Sequence, residues 1–279
     1  MQAQRDAVTR FFKPMKVADG DWLDTNKEKG ETFEEYIGSN PTLPTEKRKT
    51  IYIQPIGKFS KAQTDVIAAS EEYMKAFYNL PVKLLPIKPL GRVPKDKQRV
   101  SGYPQRTQIR TGYFLEDLLP KMLPDDAAAF IAFTDSDLYP GDTWAFVFGQ
   151  ASLEKRVGVW SLHRLSDIAL EANNDPDRLL LRTLKIAMHE TGHMFSMRHC
   201  TKYECLMSGT NHLAETDRRP VDNCPECMAK LAWAMDYKPK ERYERLAKFW
   251  DKYKKPAFAK EFREKAKAVA NLAAASASR

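Results

Sequence analysis

Long apolar runs are missing from this 279-residue chain: no stretch reaches 18 consecutive apolar residues, so no membrane span is expected. The opening MQAQRDAVTRFFKPMK lacks the apolar core of a secretory signal, and an intracellular, cytoplasmic location follows as the expectation. Cysteine is scarce. Its four copies, Cys200, Cys205, Cys224 and Cys227, all fall within 28 residues. That clustering, without a secretory signal, argues against a disulfide framework, and no thioredoxin-type βαβ pattern surrounds Cys224-Pro225-Glu226-Cys227. The first 48 residues hold no cysteine, which excludes latency by a thiol from that segment. Histidine numbers only five, and three of the five sit in one motif.

The remaining composition is that of a soluble globular protein, with 43% hydrophobic residues and a length suited to one domain or a domain in two lobes. The formal net charge of +8 resides in residues 230–279, which hold 14 Lys/Arg against 6 Asp/Glu, while residues 1–229 hold 31 of each. Such an excess suits an acidic partner, a nucleic acid or a membrane surface, or else a solvated helix face. The apolar stripe Tyr243, Leu246, Trp250 and Tyr253 favours the helix, packed on the rest of the protein. Nucleic acid is therefore not the expected partner, and a monomer is expected. Residues 270–279 read as a frayed end.

The motif is His189-Glu190-Thr191-Gly192-His193, followed by His199. Residues four apart share one face of a helix, so His189 and His193 can direct their imidazoles at one metal, with Glu190 beside them to reach a water. His199 lies too far along a straight helix to join them, so the chain must turn back after Phe195. Three neutral imidazoles leave a fourth zinc position open for water, whose pKa zinc lowers to roughly 7. The four cysteines suit a second, closed zinc site, since four thiolates leave no position for water.

At these residues the chain resembles the archaemetzincins, zinc peptidases of the metzincin clan. The resemblance rests on HExxH, His199-Cys200, Cys205-Leu206-Met207 and the distal Cys224-x-x-Cys227, and extends over roughly residues 49–235. It implies a metzincin-like α+β domain, α/β-layered: a mixed, mostly parallel twisted sheet, an active-site helix and a C-terminal subdomain stabilised by a four-cysteine zinc site. It implies two zinc ions, with His189, His193 and His199 on the catalytic one and Cys200, Cys205, Cys224 and Cys227 on the structural one. Glu190 becomes the general base and Met207 the Met-turn residue. Where the family usually has glycine this chain has Ser196, in a left-handed turn that costs a non-glycine residue about 1–2 kcal/mol.

The expected division is an N-terminal extension at 1–48 with little core of its own, a peptidase domain at 49–237 and a basic helical tail at 238–279. Within the domain, strands are expected at Ile51–Ile56, Val82–Leu85, Gln108–Ile109, Ala128–Phe133, Trp144–Ala151 and Val157–Leu162. A helix opens at the capping box Ser60–Gln63 and runs to about Leu80, and another lies around Tyr113–Leu119. Asp175 and Pro176 cap the active-site helix, whose buried stripe is Leu180, Leu184 and Met188. In the metzincin clan a strand at the position of Phe148, Gly149 and Gln150 rims the cleft, so these residues are the candidate substrate contacts, by strand addition. Asp135 and Asp137 read as turn caps, Asp19-Gly20-Asp21 as a surface turn, and His163 as structural or exposed. Asn211, His212, Asp217, Arg218 and Arg219 either line the cleft or form a solvated loop.

The leading function is hydrolysis of peptide or protein substrates by Glu190-assisted attack of zinc-bound water, with aminopeptidase character allowed by the resemblance. A non-peptidase amide hydrolase and a catalytically weak zinc protein acting as a binding module stay open. The intact Glu190 argues against the last.

Overall fold

The computed structural model describes residues 1–101, 105–152, 154–165 and 176–277, and contacts group them into two compact units. One unit comprises Pro44–Glu71 and Pro81–Phe195; the other comprises Met1–Leu43, Glu72–Leu80 and Ser196–Arg279.

The first unit is built on a five-stranded sheet in the order β2-β1-β5-β8-β7. Strands β1 (Thr50–Ile56), β2 (Val82–Leu84), β5 (Ala127–Thr134) and β8 (Val157–Ser161) run parallel, and β7 (Gly149–Ala151) pairs antiparallel with β8 at the edge. The run Ala127-Ala128-Ala129-Phe130-Ile131-Ala132-Phe133 is buried at every position, as a central parallel strand covered on both faces must be. One face packs Phe130 and Ala132 with Phe114, Leu119, Val157 and Val159. Helix α4 (Lys61–Tyr78) opens with the expected capping box: Gln63 N–H donates to Ser60 Oγ at 3.2 Å and Ser60 N–H to Gln63 Oε1 at 2.9 Å.

In this unit three expectations differ from the structure. A second, three-stranded sheet joins β3 (Gln98–Ser101), β4 (Arg106–Arg110) and β6 (Asp137–Tyr139). Asp137 therefore sits in a strand rather than capping a turn, its buried carboxylate held by Arg164 at 2.7 Å and by Gln108 at 3.0 Å. The helix around Tyr113–Leu119 is a wide turn over Tyr113–Leu118 followed by a tight one over Leu119–Met122, because Pro120 lacks the N–H a regular ladder needs. Of Trp144–Ala151 only Gly149–Ala151 is strand; Val147 instead donates to Leu138 O, at 3.0 Å, in the other sheet.

Helix α5 (Pro176–Met194) packs on β5, β7 and β8 and buries Leu180, Leu184 and Met188, as its 3.6-residue spacing requires. Asp175, its expected cap, lies outside the described residues.

The second unit is helical: α1 (Gln2–Thr9), α2 (Trp22–Thr25), α3 (Phe33–Gly38), α6 (Leu213–Arg218), α7 (Pro225–Ala234), α8 (Pro239–Lys252) and α9 (Pro256–Ala277). Helix α1 packs on α7 and α9, and α3 on α7, so Val8, Phe12, Phe33 and Tyr36 are buried within this unit. The N-terminal segment is thus integral to it, not an extension without core. The basic tail is two mutually packed helices, parted where Lys254 takes φ +56° ahead of Pro256, with α9 spanning Pro256–Ala277. Of the predicted stripe, Tyr243, Leu246 and Trp250 are buried, while Tyr253 is half-buried. Beneath them Asp222 pairs with Arg242 at 2.9 Å and Lys265 at 3.0 Å, all three buried. Among the described residues no helix is long and apolar enough to cross a membrane.

Candidate metal centres

Near the C-terminal end of α5, the Nε2 atoms of His189 and His193 face each other at 3.0 Å, with the ring planes at 88°. One helical turn separates them, which is what the i, i+4 spacing dictates. After Met194 the chain reverses: Ser196 takes φ +63°, and its Oγ accepts the Thr42 N–H at 3.0 Å. The turn that the HExxH…His spacing demands is therefore present. Beyond that turn the chain carries His199, the third histidine of the motif. His199 Nδ1 stands 3.0 Å from both carboxylate oxygens of Glu28, and the Trp22 ring meets the imidazole edge to face at 5.2 Å.

Glu190 is the one carboxylate set within the motif. Burial pushes its pKa up to about 7, a hydrogen bond from the Ala151 backbone opposing the rise, while part of its surface stays accessible. Gly149 explains the proximity of β7: a Cβ there would stand 3.1 Å from Trp160 Cβ and 3.3 Å from Glu190 Cγ. A glycine lets the strand approach the helix without displacing either neighbour. Phe148 O accepts the Ser161 N–H at 2.8 Å, and Gln150 Oε1 accepts the Thr111 hydroxyl. Among the described residues no strand pairs on the outer side of β7.

The four cysteines are buried, none is in a disulfide, and their Sγ atoms lie within 4.8 Å of one another. Three backbone N–H groups point at sulfur: Cys224 at 3.2 Å and Met207 at 3.4 Å to Cys205, and Cys227 at 3.5 Å to Cys224. Cys224 begins α7 as its N-cap, which places Cys227 one turn on. Hydrogen bonds from Cys205, Cys224 and Cys227 hold the Cys200 pKa well down, whereas burial pushes Cys224 up and its thiol neighbours push Cys227 up. Four buried sulfurs cannot all ionise unaided, so the donor set fits a divalent cation that would neutralise them. Met207, buried beside them, accepts the Cys200 N–H at 2.8 Å.

A third group, Asp21, His212 and Glu215, has metal-like spacing, but its carboxylates are committed. Asp21 is held by Arg218 and Glu215 by Arg219, each at 2.6 Å. Asp21 is accordingly buried, not part of a surface turn, and the polar run from Asn211 to Arg219 clasps the N-terminal segment. His163 is structural, its Nδ1 at 3.2 Å from Asp135 O. Sequence reasoning missed Glu28 and the Ala151 N–H. Glu28 comes from a charged segment without a motif, and the Ala151 N–H is a backbone group, which residue type does not reveal.

The family model of peptidase family M54 matches residues 53–233. Archaemetzincin-2 of Mus musculus is 37% identical over 278 residues, covering 87% of this chain and 76% of the mouse protein. Archaemetzincin-2 of Homo sapiens is 38% identical, covering 86% and 75%. Among solved structures, archaemetzincin from Methanopyrus kandleri aligns with a TM-score of 0.55 and 26% identity, covering 70% of this chain and 99% of the other. A fold and a histidine–glutamate motif of this kind define a metallopeptidase, a hydrolase. Within that class the chain belongs to peptidase family M54, the archaemetzincins.

Proposed function

We propose that the protein hydrolyses peptide bonds with a catalytic zinc held by His189, His193 and His199 and a structural zinc held by Cys200, Cys205, Cys224 and Cys227. The observation that carries this is the facing His189–His193 pair at 3.0 Å, because two imidazole nitrogens aimed at one point one helical turn apart suit a shared cation. When bound, the zinc acidifies water and polarises the scissile carbonyl. Glu190, between the two ligands, accepts the proton of the attacking water and delivers it to the departing amine. Its desolvated carboxyl, with a pKa raised to about 7, suits a group that both takes and gives a proton near neutrality. An extended peptide adds as a strand along the outer edge of β7, where Phe148, Gly149 and Gln150 set it beside Glu190. Met207, buried next to the cysteine cluster, would serve as the Met-turn residue.

The test is a peptide-library digest, with free and blocked amino termini, run on the parent and on Glu190→Ala alongside metal analysis. Two zinc ions per chain are expected in both proteins, with hydrolysis lowered by about 10²–10⁴ in the variant. Equal cleavage by Glu190→Ala would place the activity elsewhere. Free-amino preference would establish aminopeptidase character.

A further inference from the structure

We infer that Glu28 is the positioning residue for the third metal ligand, His199, an inference that rests on the zinc site proposed above. Both Glu28 carboxylate oxygens lie 3.0 Å from His199 Nδ1. An ionised carboxylate only accepts hydrogen bonds, so Nδ1 donates and carries the ring proton. The lone pair is then on Nε2, the nitrogen left for metal, and the negative charge behind the ring makes that nitrogen a stronger donor to a cation. The Trp22 ring, edge to face with the imidazole, restricts the remaining rotation.

Glu28 is delivered from backbone tied down on both sides of it. Before it, Asp21 is held by Arg218 at 2.6 Å, and Asn211 donates to Gly20 O at 3.1 Å and to Thr25 Oγ at 2.9 Å. After it, Thr201 Oγ donates to Lys29 O at 3.3 Å, and buried Lys230 pairs with Glu31 at 3.0 Å. Gly30, at φ +74°, has no space for a Cβ, which would collide with Thr201. The segment is thus pressed against Thr201, two residues after His199. Glu28 lies outside residues 53–233, the stretch that carries the family match. A carboxylate supplied by the N-terminal segment would make that segment part of the metal site's support.

The experiment uses the full chain in zinc buffers of graded free-metal concentration, reading zinc per chain by mass spectrometry. Glu28→Ala is expected to weaken the more exchangeable zinc by about 10–100-fold and to leave the tighter, cysteine-held zinc unchanged. Glu28→Gln, which keeps an acceptor but no charge, should fall between parent and Ala. In a His199→Ala background, Glu28→Ala should have no further effect, since the ring it orients is gone. The retained cysteine zinc reports that each variant is folded. Unchanged affinity in Glu28→Ala, or a full Glu28 effect persisting without His199, would overturn the inference while leaving the zinc site intact. If His199→Ala alone leaves the second zinc as tight as in the parent, the proposed ligand set falls and this inference with it.

Discussion

Ser196 holds φ +63°, where a side chain costs about 1–2 kcal/mol relative to glycine, yet its hydroxyl accepts the Thr42 N–H at 3.0 Å. A hydrogen bond of that kind contributes about 0.5–1.5 kcal/mol, so gain and strain largely offset each other. Ser196→Ala keeps the strain and loses the bond, and should destabilise the protein by about 1 kcal/mol. Ser196→Gly loses both and should stay within about 1 kcal/mol of the parent. Urea denaturation followed by circular dichroism separates these outcomes; an Ala variant as stable as the parent would refute the compensation. The left-handed turn was legible in the sequence because the spacing of His193 and His199 forces a reversal. Thr42 was not, because it comes from 154 residues away. The same holds for Glu28 and His199, 171 residues apart, one glutamate among many in a charged segment.

Elements whose burial follows a simple period were readable from the chain. The parallel strands β1, β5 and β8, helix α4 with its capping box, and helix α5 all appear where hydrophobic spacing puts them. The second sheet was not readable, since β3 and β6 are short and the buried Asp137 is held in β6 by Arg164 and Gln108 from elsewhere in the chain. Strand β7 was overextended for a related reason: Val147 bonds to the other sheet. Its one remaining constraint gives a prediction. Gly149→Val would drive methyl groups into Trp160 and Glu190, so hydrolysis should fall by at least tenfold while both zinc ions stay bound, read by kcat/KM and metal analysis. Wild-type rates in Gly149→Val would show that β7 does not need that close approach. For helix α7, which presents Cys224 and Cys227, Cys224→Ser should release the structural zinc and lower activity through the neighbouring His199. Denaturing thiol titration of the parent without reductant should find four thiols, and two or none would mean disulfides.

At the scale of the whole chain, charge that looked like a tail property from composition is partly interior. Asp222 is buried, which by itself would raise its pKa, but Lys265 and Arg242 outweigh the desolvation and hold it below the usual carboxylate value of 3.8. A depressed folded-state pKa contributes stability that is present above the unfolded value and is lost as pH falls through the folded one. Acid unfolding of the parent should therefore steepen below about pH 4. Asp222→Asn should flatten that dependence while costing about 3–5 kcal/mol at neutral pH, because buried Arg242 loses its carboxylate and buried Lys265 keeps only Glu261. Thermal melts from pH 3 to 7 test both, and an unaltered acid slope would remove Asp222 from the account.

The Lys265 ammonium also lies 4.4 Å from the centre of the Phe12 ring, joining residues 253 positions apart. At a synthesis rate of about 5–20 residues per second, α1 waits on the order of 10–50 s after translation before its packing partner on α9 exists. The strands of the first unit, complete by residue 161, can pair during that interval. Assembly on the ribosome would thus proceed from the middle of the message outward, with the first helix made among the last to find its place.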